Sequence, residues 1–395
     1  MHVLMIPSWY SMPELPYRGI FFAQQAQALK AAGLQVGVVY PEYRSLRSLT
    51  PSRLLRSRFQ VERHVEDGVY TIRLYGWNLG RRFRFGAMMW VRQTQRLVDE
   101  YVRQFGVPDV IHAQSALWAG YAASLSARTL DRPFVITEHS TMLGRGQVAK
   151  WQEPLLREAF VGAQRVFAVS SSLARSLQPY AGEDVRIDVV PNMVDTAFFH
   201  PPAQPRPAWP FTFLAVGGLV RRKGLDTLLD AFARHWCDGA DVQLVIAGDG
   251  PEWGALESRA ERLGIGRQVR FVGALSKADV REAMWEANVL VLPSLYETFG
   301  VVLIEAMSTG MPVVATRCGG PEEIITPEVG WLAEPGDVDS LAGALAAACE
   351  RCSGAGCASQ TVRDYVVARY DVHEVVRSLV SSYARCIDEY TRGAV

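Results

Sequence analysis

Short apolar runs alternate with longer segments of helical period along the whole chain, and the alternation happens twice. Residues 3–6, 36–40, 110–112, 134–137, 166–169 and 187–190 are apolar runs of strand length, and residues 21–32 carry a helical pattern. A strand that must be followed by a helix before the next strand cannot turn back as a hairpin, so the order predicts a parallel sheet covered by helices. The same order resumes at 213–216 and continues through a helix near 225–235, a strand at 242–247, a helix near 253–263, a strand at 269–272, a helix near 277–287 and a strand at 289–292. Two doubly wound α/β domains of Rossmann-like type are expected.

Between the two series lies His200-Pro-Pro-Ala-Gln-Pro-Arg-Pro-Ala-Trp-Pro210, whose five prolines suit neither a helix nor a central strand. Residues 1–200 are therefore expected to form one domain, 201–210 a linker and 211–395 a second domain, with the last helix free to pack back on the first. A length of 395 residues agrees, since one hydrophobic core rarely serves so long a chain. Sheets of this kind bind ligands outside the carboxyl ends of their strands, so two facing domains would frame one interdomain cleft, and chemistry should be sought at strand ends.

Charge and cysteine content remove several classes. Formal net charge is zero, but residues 1–200 hold 23 basic against 16 acidic residues and residues 201–395 hold 18 against 25, which points to a local basic surface and not to a nucleic-acid partner. The start lacks a basic segment followed by an apolar stretch and cleavage site, and no run approaches the roughly 20 apolar residues that span a bilayer. A cytoplasmic location and six reduced cysteines are expected. Cys349-x-x-Cys352 with Cys357 lacks a fourth ligand and reads as packing at the end of an Ala-rich helix.

The most informative segment is Tyr296-Glu297-Thr-Phe299-Gly300-Val301-Val-Leu-Ile-Glu305, directly after the apolar run 289–292. It reads as a strand, a glycine loop and a helix. Gly300 allows close backbone approach, and the unpaired amides of a helix start, reinforced by its dipole, suit a phosphate. Carboxylates at 297 and 305 would then flank that phosphate as acceptors for hydroxyl groups, a pattern that fits a nucleotide sugar.

These residues resemble the family-4 group of retaining glycosyltransferases, which have the GT-B fold and share two glutamates separated by seven residues. Further segments carry the resemblance across the chain: Val190-Pro-Asn192-Met-Val-Asp195, Arg222-Lys223-Gly224, Ala247-Gly248-Asp249-Gly250-Pro251 and Gly319-Gly320-Pro-Glu-Glu-Ile. The resemblance implies that Glu297 contacts the transferred sugar, that Glu305 holds the ribose hydroxyls, and that the amides of Phe299, Gly300 and Val301 bind the distal phosphate. Lys223 and Arg222 would serve the donor phosphates. It further implies a metal-independent hexosyl transfer with retained anomeric configuration, from a nucleotide-diphosphate sugar to a glycan, lipid-linked or small-molecule acceptor in cell-surface polysaccharide or glycolipid synthesis. The alternative is a non-catalytic protein of the same fold that binds sugar nucleotides or acts as a scaffold.

One departure stands out: the family commonly has Gly-Arg-Leu where this chain reads Gly217-Gly218-Leu219, so Arg221 or Arg222 would have to replace the missing arginine at the diphosphate. In the first half, Gly19 sits at a loop-to-helix junction in Pro16-Tyr-Arg-Gly19-Ile, a position for an amide facing a phosphate. His139, in Thr137-Glu138-His139-Ser140 at the end of a strand, matches the family's histidine that faces the transferred sugar; His112 ends an earlier strand with weaker support.

Two rival motifs fail. Gly248-x-Gly250 has Trp253 where a dinucleotide loop needs its third glycine, and Asp337-Val-Asp339 reads as a helix start and not as a metal site. Finally, residues 44–103 carry 13 arginines against five acidic residues, with Trp77, Phe83, Phe85, Met88, Met89 and Trp90 among them. They are read either as a face for an anionic membrane or lipid-linked acceptor, or as a solvated helix with an apolar side turned to the core.

Overall fold

The computed structural model describes residues 1–11, 19–44, 59–78, 80, 83–237, 241–353 and 359–393. The chain divides into two compact units, Met1–Pro191 together with Val375–Val395, and Asn192–Glu374. The proline-rich stretch 201–210 lies inside the second unit.

Eight strands make the sheet of the first unit: β1 (His2–Pro7), β2 (Gln35–Arg44), β3 (Gln60–Glu66), β4 (Val69–Trp77), β5 (Val110–Gln114), β6 (Phe134–Glu138), β7 (Arg165–Ala168) and β8 (Ile187–Val189). Their order is β3-β4-β2-β1-β5-β6-β7-β8. β1 and β5 are neighbours from which the chain winds outward in opposite directions, so the topological switch point lies between their carboxyl ends. Buried strands explain the near-continuous apolar runs: β1, β5 and β6 are buried at every residue.

One edge of this otherwise parallel sheet is antiparallel. β3 and β4 pair antiparallel, joined by Asp67 and Gly68, both at positive φ (47° and 82°). An Asp-Gly pair between strands is the turn that such a backbone requires. β3 is largely solvent-facing, so its sequence lacks the apolar run that marks the others.

The second unit carries β9 (Phe211–Val216), β10 (Val242–Ala247), β11 (Val269–Gly273), β12 (Val289–Leu292), β13 (Val313–Thr316) and β14 (Gly330–Ala333). They lie in the order β11-β10-β9-β12-β13-β14, and every pair is parallel. The switch point falls between β9 and β12. Helices Leu225–Ala233, Trp253–Arg262 and Lys277–Glu286 connect the strands where the periodicity places them. Leu228, Leu229 and Phe232 are fully buried against Phe213 and Trp236, each such side chain contributing about 1.5–3 kcal/mol by leaving water. The Asp337 carboxylate accepts a hydrogen bond from Ser340 N (2.9 Å) at the start of the helix Val338–Ser353, as a cap.

Among the described cysteines Cys237, Cys318, Cys349 and Cys386 are free thiols. Cys352 is disulfide-bonded, against the expectation of six reduced thiols, which rests on chain size and compartment alone and carries no geometric test.

The helix Val372–Gly393 is locked to the first sheet by a buried polar contact. Tyr383, fully buried, pairs through its hydroxyl with His112 Nδ1 (2.6 Å), while His112 Nε2 pairs with Thr137 Oγ1 (2.7 Å). Both ring nitrogens are thus engaged, and burial pushes the imidazole down to about 3, so it stays neutral. His112 is structural. Tyr383→Phe is expected to cost about 1–3 kcal/mol by leaving a buried ring nitrogen unpaired, measured by urea denaturation; an unchanged midpoint would show that this bond does not hold the helix.

Candidate active site

In the second unit the site is assembled at the switch point. After β9 the chain passes Gly217 and Gly218 to a single 3-10 turn, Arg221–Lys223, and Gly224, at φ 63°, ends that turn and starts the helix Leu225–Ala233. After β12 it passes Ser294 to Glu297. The Lys223 ammonium donates to the Glu297 carboxylate, and Ser294 Oγ donates to the same oxygen at 2.9 Å. Both charged side chains are largely buried, 19% and 9% exposed, so the pair is held and not merely adjacent in water. The Glu297 backbone is clamped as well: its amide donates to Cys318 O (3.2 Å) and its carbonyl accepts from Gly320 N (3.0 Å).

Glycines permit this crowding. A Cβ at Gly224 would stand 2.1 Å from Pro293 O, and one at Gly320 would stand 2.3 Å from the Phe299 Cα. Leu295 N donates to Arg222 O at 2.8 Å, tying the basic turn to the loop that carries Glu297. The Arg221 and Arg222 side chains are exposed, and a side chain at Gly218 would meet only Asp249 O at 3.9 Å. Gly300, at φ 99°, begins the helix Val301–Ser308. Of its first-turn amides, that of Leu303 donates to Gly300 O (2.9 Å), while those of Val301 and Val302 precede the first helical hydrogen bond. Phe299 is buried edge-on against Tyr370 at 5.8 Å and positions the loop.

Glu305 lies one turn into that helix. Burial is the largest influence on its carboxyl, which is pushed up to about 7, with the nearby positive charge of Lys277 acting the other way.

In the first unit, Gly19 (φ 69°) starts the helix Ile20–Ala31 beside Trp9, which a Cβ there would approach to 3.0 Å. His139 follows β6 and is 8% exposed. Its ring stacks on Phe21 (4.8 Å between centroids) and meets Phe22 edge-on (5.0 Å), and its Nε2 pairs with Gln114 Oε1 at 3.0 Å. The start of the Gly19 helix and His139 are therefore brought together at the carboxyl edge of this sheet. Pro16, Tyr17 and Arg18, named with Gly19 in the sequence, lie outside the described residues.

Glu138 is a residue that motif reasoning passes over. It is fully buried and accepts four hydrogen bonds, from Ser115 Oγ (2.5 Å), Ala116 N (2.7 Å), His139 N (2.9 Å) and Ser140 N (2.7 Å). Burial pushes its carboxyl upward while the four donors act against that. It binds the loop after β5 to the loop after β6 and so fixes the backbone that carries His139. A carboxylate beside a strand-end histidine is the signal that could have found it.

Residues 19–198 match the model described as Glycosyltransferase Family 4, and residues 199–351 the one described as Glycosyl transferases group 1. Glycogen synthase of Mycobacterium tuberculosis is 30% identical over 289 residues, which cover 70% of this chain and 68% of that one. The chain belongs to the group 1 glycosyltransferases. The gpi3 subunit of the Schizosaccharomyces pombe phosphatidylinositol N-acetylglucosaminyltransferase is 28% identical over 278 residues, 69% of this chain and 58% of its own. This glycosyltransferase chain thus spans about three fifths to two thirds of the length of these curated relatives. Among solved structures, sucrose-phosphate synthase from Thermosynechococcus elongatus superposes with a TM-score of 0.79 at 23% identity, over 98% of this chain and all of that one. Anabaena HepE, solved in complex with UDP-glucose, gives 0.70 at 19% identity, over 98% and 100%. The fold of the group 1 glycosyltransferase is GT-B.

In this glycosyltransferase the basic stretch 44–103 divides. Arg73 is buried, ion-paired with Glu66 (2.6 Å) and Glu42 (3.3 Å), and Trp90 is buried with its indole N–H on Pro41 O (3.0 Å). These two belong to the interior. Phe83 and Phe85 are 70% and 77% exposed, with Arg84, Arg92 and Arg96 also outward along the helix Arg84–Phe105. Arg47, Arg53, Arg56, Arg58, Arg81 and Arg82 lie outside the described residues.

The raised Glu305 carboxyl makes a stability prediction. In the unfolded chain it titrates near 4.5 and in the folded chain near 7, so the folded state binds more protons between these values and stability falls as pH rises through that window. Glu305→Gln is expected to raise Tm at pH 8 and to leave it unchanged at pH 4, read by thermal denaturation at both pH values. Equal shifts at the two would refute the assignment.

Proposed function

We propose that the protein transfers a hexose-type sugar from a nucleotide-diphosphate donor with retention of anomeric configuration and without a metal ion. The observation that carries this reading is the largely buried Lys223–Glu297 pair beside the glycine-led helix Val301–Ser308. A donor diphosphate placed there meets the amides of Phe299, Gly300 and Val301 and the ammonium of Lys223, which has three N–H donors and spends one on Glu297. Arg222 is close enough in sequence to add charge in place of the family arginine absent at Gly218. Glu305 takes the ribose hydroxyls. The relatives support a nucleotide donor, since HepE is described with UDP and with UDP-glucose.

The transition state gathers positive charge on the sugar and negative charge on the departing diphosphate. The protein's part is positioning and electrostatic stabilisation: Lys223 and the loop amides meet the growing negative charge, and Glu297 holds the sugar. His139 is assigned to the transferred sugar by the same family resemblance, and its setting between Gln114, Phe21 and the Glu138 anchor suits a group that must keep one orientation. Acceptor deprotonation falls to the leaving phosphate. The same kinship supports reading the acceptor as a glycan or lipid-linked molecule, with a role in cell-surface polysaccharide or glycolipid synthesis.

Glu297→Gln is expected to lower kcat about a hundredfold, whereas Glu305→Gln raises the donor KM with kcat within a fewfold of wild type, because one carboxylate meets the reacting sugar and the other only binds. The same assay, followed by NMR of the product, should give the donor's anomeric configuration and a rate unaffected by EDTA. Inverted product, loss of activity restored by manganese or magnesium, or two variants with near-normal rates would each overturn part of the assignment.

We further propose that Phe83, Phe85 and the outward arginines Arg84, Arg92 and Arg96 rest on an anionic membrane surface, pairing shallow apolar insertion with headgroup attraction of about 1 kcal/mol per basic residue. Flotation with vesicles containing anionic lipid at low salt should carry the protein upward, and Phe85→Glu should abolish this. Wild-type protein that stays at the bottom ends the proposal.

A further inference from the structure

The first unit holds a cavity of about 260 Å³ at the carboxyl edge of its sheet, walled by Trp9, Tyr40, Tyr43, Trp90 and Trp118, with Asn78 at its margin. Its chemistry is unusual for a protein rich in surface arginine. Every described residue that lines it is uncharged. Most of its polar groups are already spent: the Trp90 indole N–H donates to Pro41 O at 3.0 Å, and the Asn78 side chain donates to Gly86 O (2.7 Å) and accepts from Gly80 N (3.1 Å). Trp118 is held in place by stacking on Trp151, with centroids 5.5 Å apart and planes 18° apart. Tyr43 is the exception. It is 7% exposed, yet its hydroxyl has no hydrogen-bond partner among the described residues.

A buried hydroxyl without a partner costs free energy, and an evolved interior seldom leaves one so unless something else pairs with it. A charged headgroup would enter a chamber with no described counter-ion, at a large desolvation cost. An acyl chain would leave the Tyr43 hydroxyl unpaired. An uncharged sugar ring answers both requirements, since its C–H faces pack on aromatic walls while its rim of hydroxyls offers hydrogen bonds, and one ring, not an extended chain, suits the volume. Burial pushes the Tyr43 phenol up to about 12, so it is an O–H donor at neutral pH.

We propose that this cavity binds an uncharged pyranose ring, with Tyr43 as its hydrogen-bonding anchor and Trp9 and Trp118 as its walls. On the transferase reading given above, that ring is the sugar of the acceptor. The acceptor then presents a neutral saccharide to the enzyme even where the rest of it is a lipid or a longer glycan.

The test uses the full chain and saturation-transfer NMR with methyl gluco-, galacto- and mannopyranosides, with glycerol phosphate as the anionic comparison, for wild type and Tyr43→Phe. At least one pyranoside is expected to bind wild type and to bind Tyr43→Phe about tenfold more weakly, while the Tm of the variant equals or exceeds that of wild type because an unpaired buried hydroxyl has been removed. A role in the fold alone would lower Tm instead. No pyranoside binding, an unchanged affinity in Tyr43→Phe, or binding of glycerol phosphate in place of the sugars would overturn the proposal. Thermal shift with UDP on the same samples separates the two readings: stabilisation by UDP without pyranoside binding rejects the cavity assignment alone, and pyranoside binding without UDP stabilisation leaves the cavity standing and removes the donor reading.

Discussion

The second unit depends on loops that pack backbone against backbone at the carboxyl edge of its sheet. Gly224 lies on Pro293 O, Gly248 on Gly217 O, Gly250 on Leu219 O and Gly320 on the Phe299 backbone, each so near that a Cβ would overlap its neighbour. Contacts of this kind cannot be relaxed by rotating a side chain. They hold four loops in one register, and the Lys223–Glu297 pair is the result: neither residue is in a regular strand or long helix, yet both are fixed from behind. Electrostatic stabilisation works best when the charges need not rearrange as the reaction proceeds, and a floor made of glycine contacts supplies that rigidity.

The parts of the fold that are legible in the sequence are those where burial dictates composition. β12 is four buried apolar residues, and β1, β5 and β6 are buried throughout, so their runs stand out without any tertiary knowledge. The hairpin of β3 and β4 is not legible because β3 faces water and its residues carry no apolar pattern; only the Asp67-Gly68 pair marks it. Cys352 escapes a reading from composition, since pairing is decided by geometry that composition does not encode.

The candidate site divides along similar lines. Glu297, Gly300 and Glu305 sit in one local motif whose placement on a strand, loop and helix can be reasoned out from backbone geometry, whereas Lys223, 74 residues earlier, is marked by its resemblance to the family's basic turn. Glu138 and Gln114 act through partners more than twenty residues away, and only the histidine that follows Glu138 hints at its part. Arg73 is the clearest case of the difficulty: counted in the sequence as one of many surface arginines, it is in fact 3% exposed, because Glu42 and Glu66 lie on strands that flank its own. Charge counts describe a segment, whereas a surface is made by whichever of those charges lack a buried partner.

The helix Val372–Gly393 completes the first unit from Val375 onward, although those residues come after the whole of the second. Its buried Tyr383 reaches His112, which has been synthesised some 270 residues earlier, so the sheet around β5 must wait for its last covering element while the second unit is being made. During synthesis, then, the second unit, which is continuous in sequence, can finish folding before the first. The apolar patch destined for Val375, Val376 and Leu379 stays open for that interval. A chain organised in this way has its most aggregation-prone interval between completion of the second unit and the arrival of this helix, and that is the stage at which a chaperone would matter to it most.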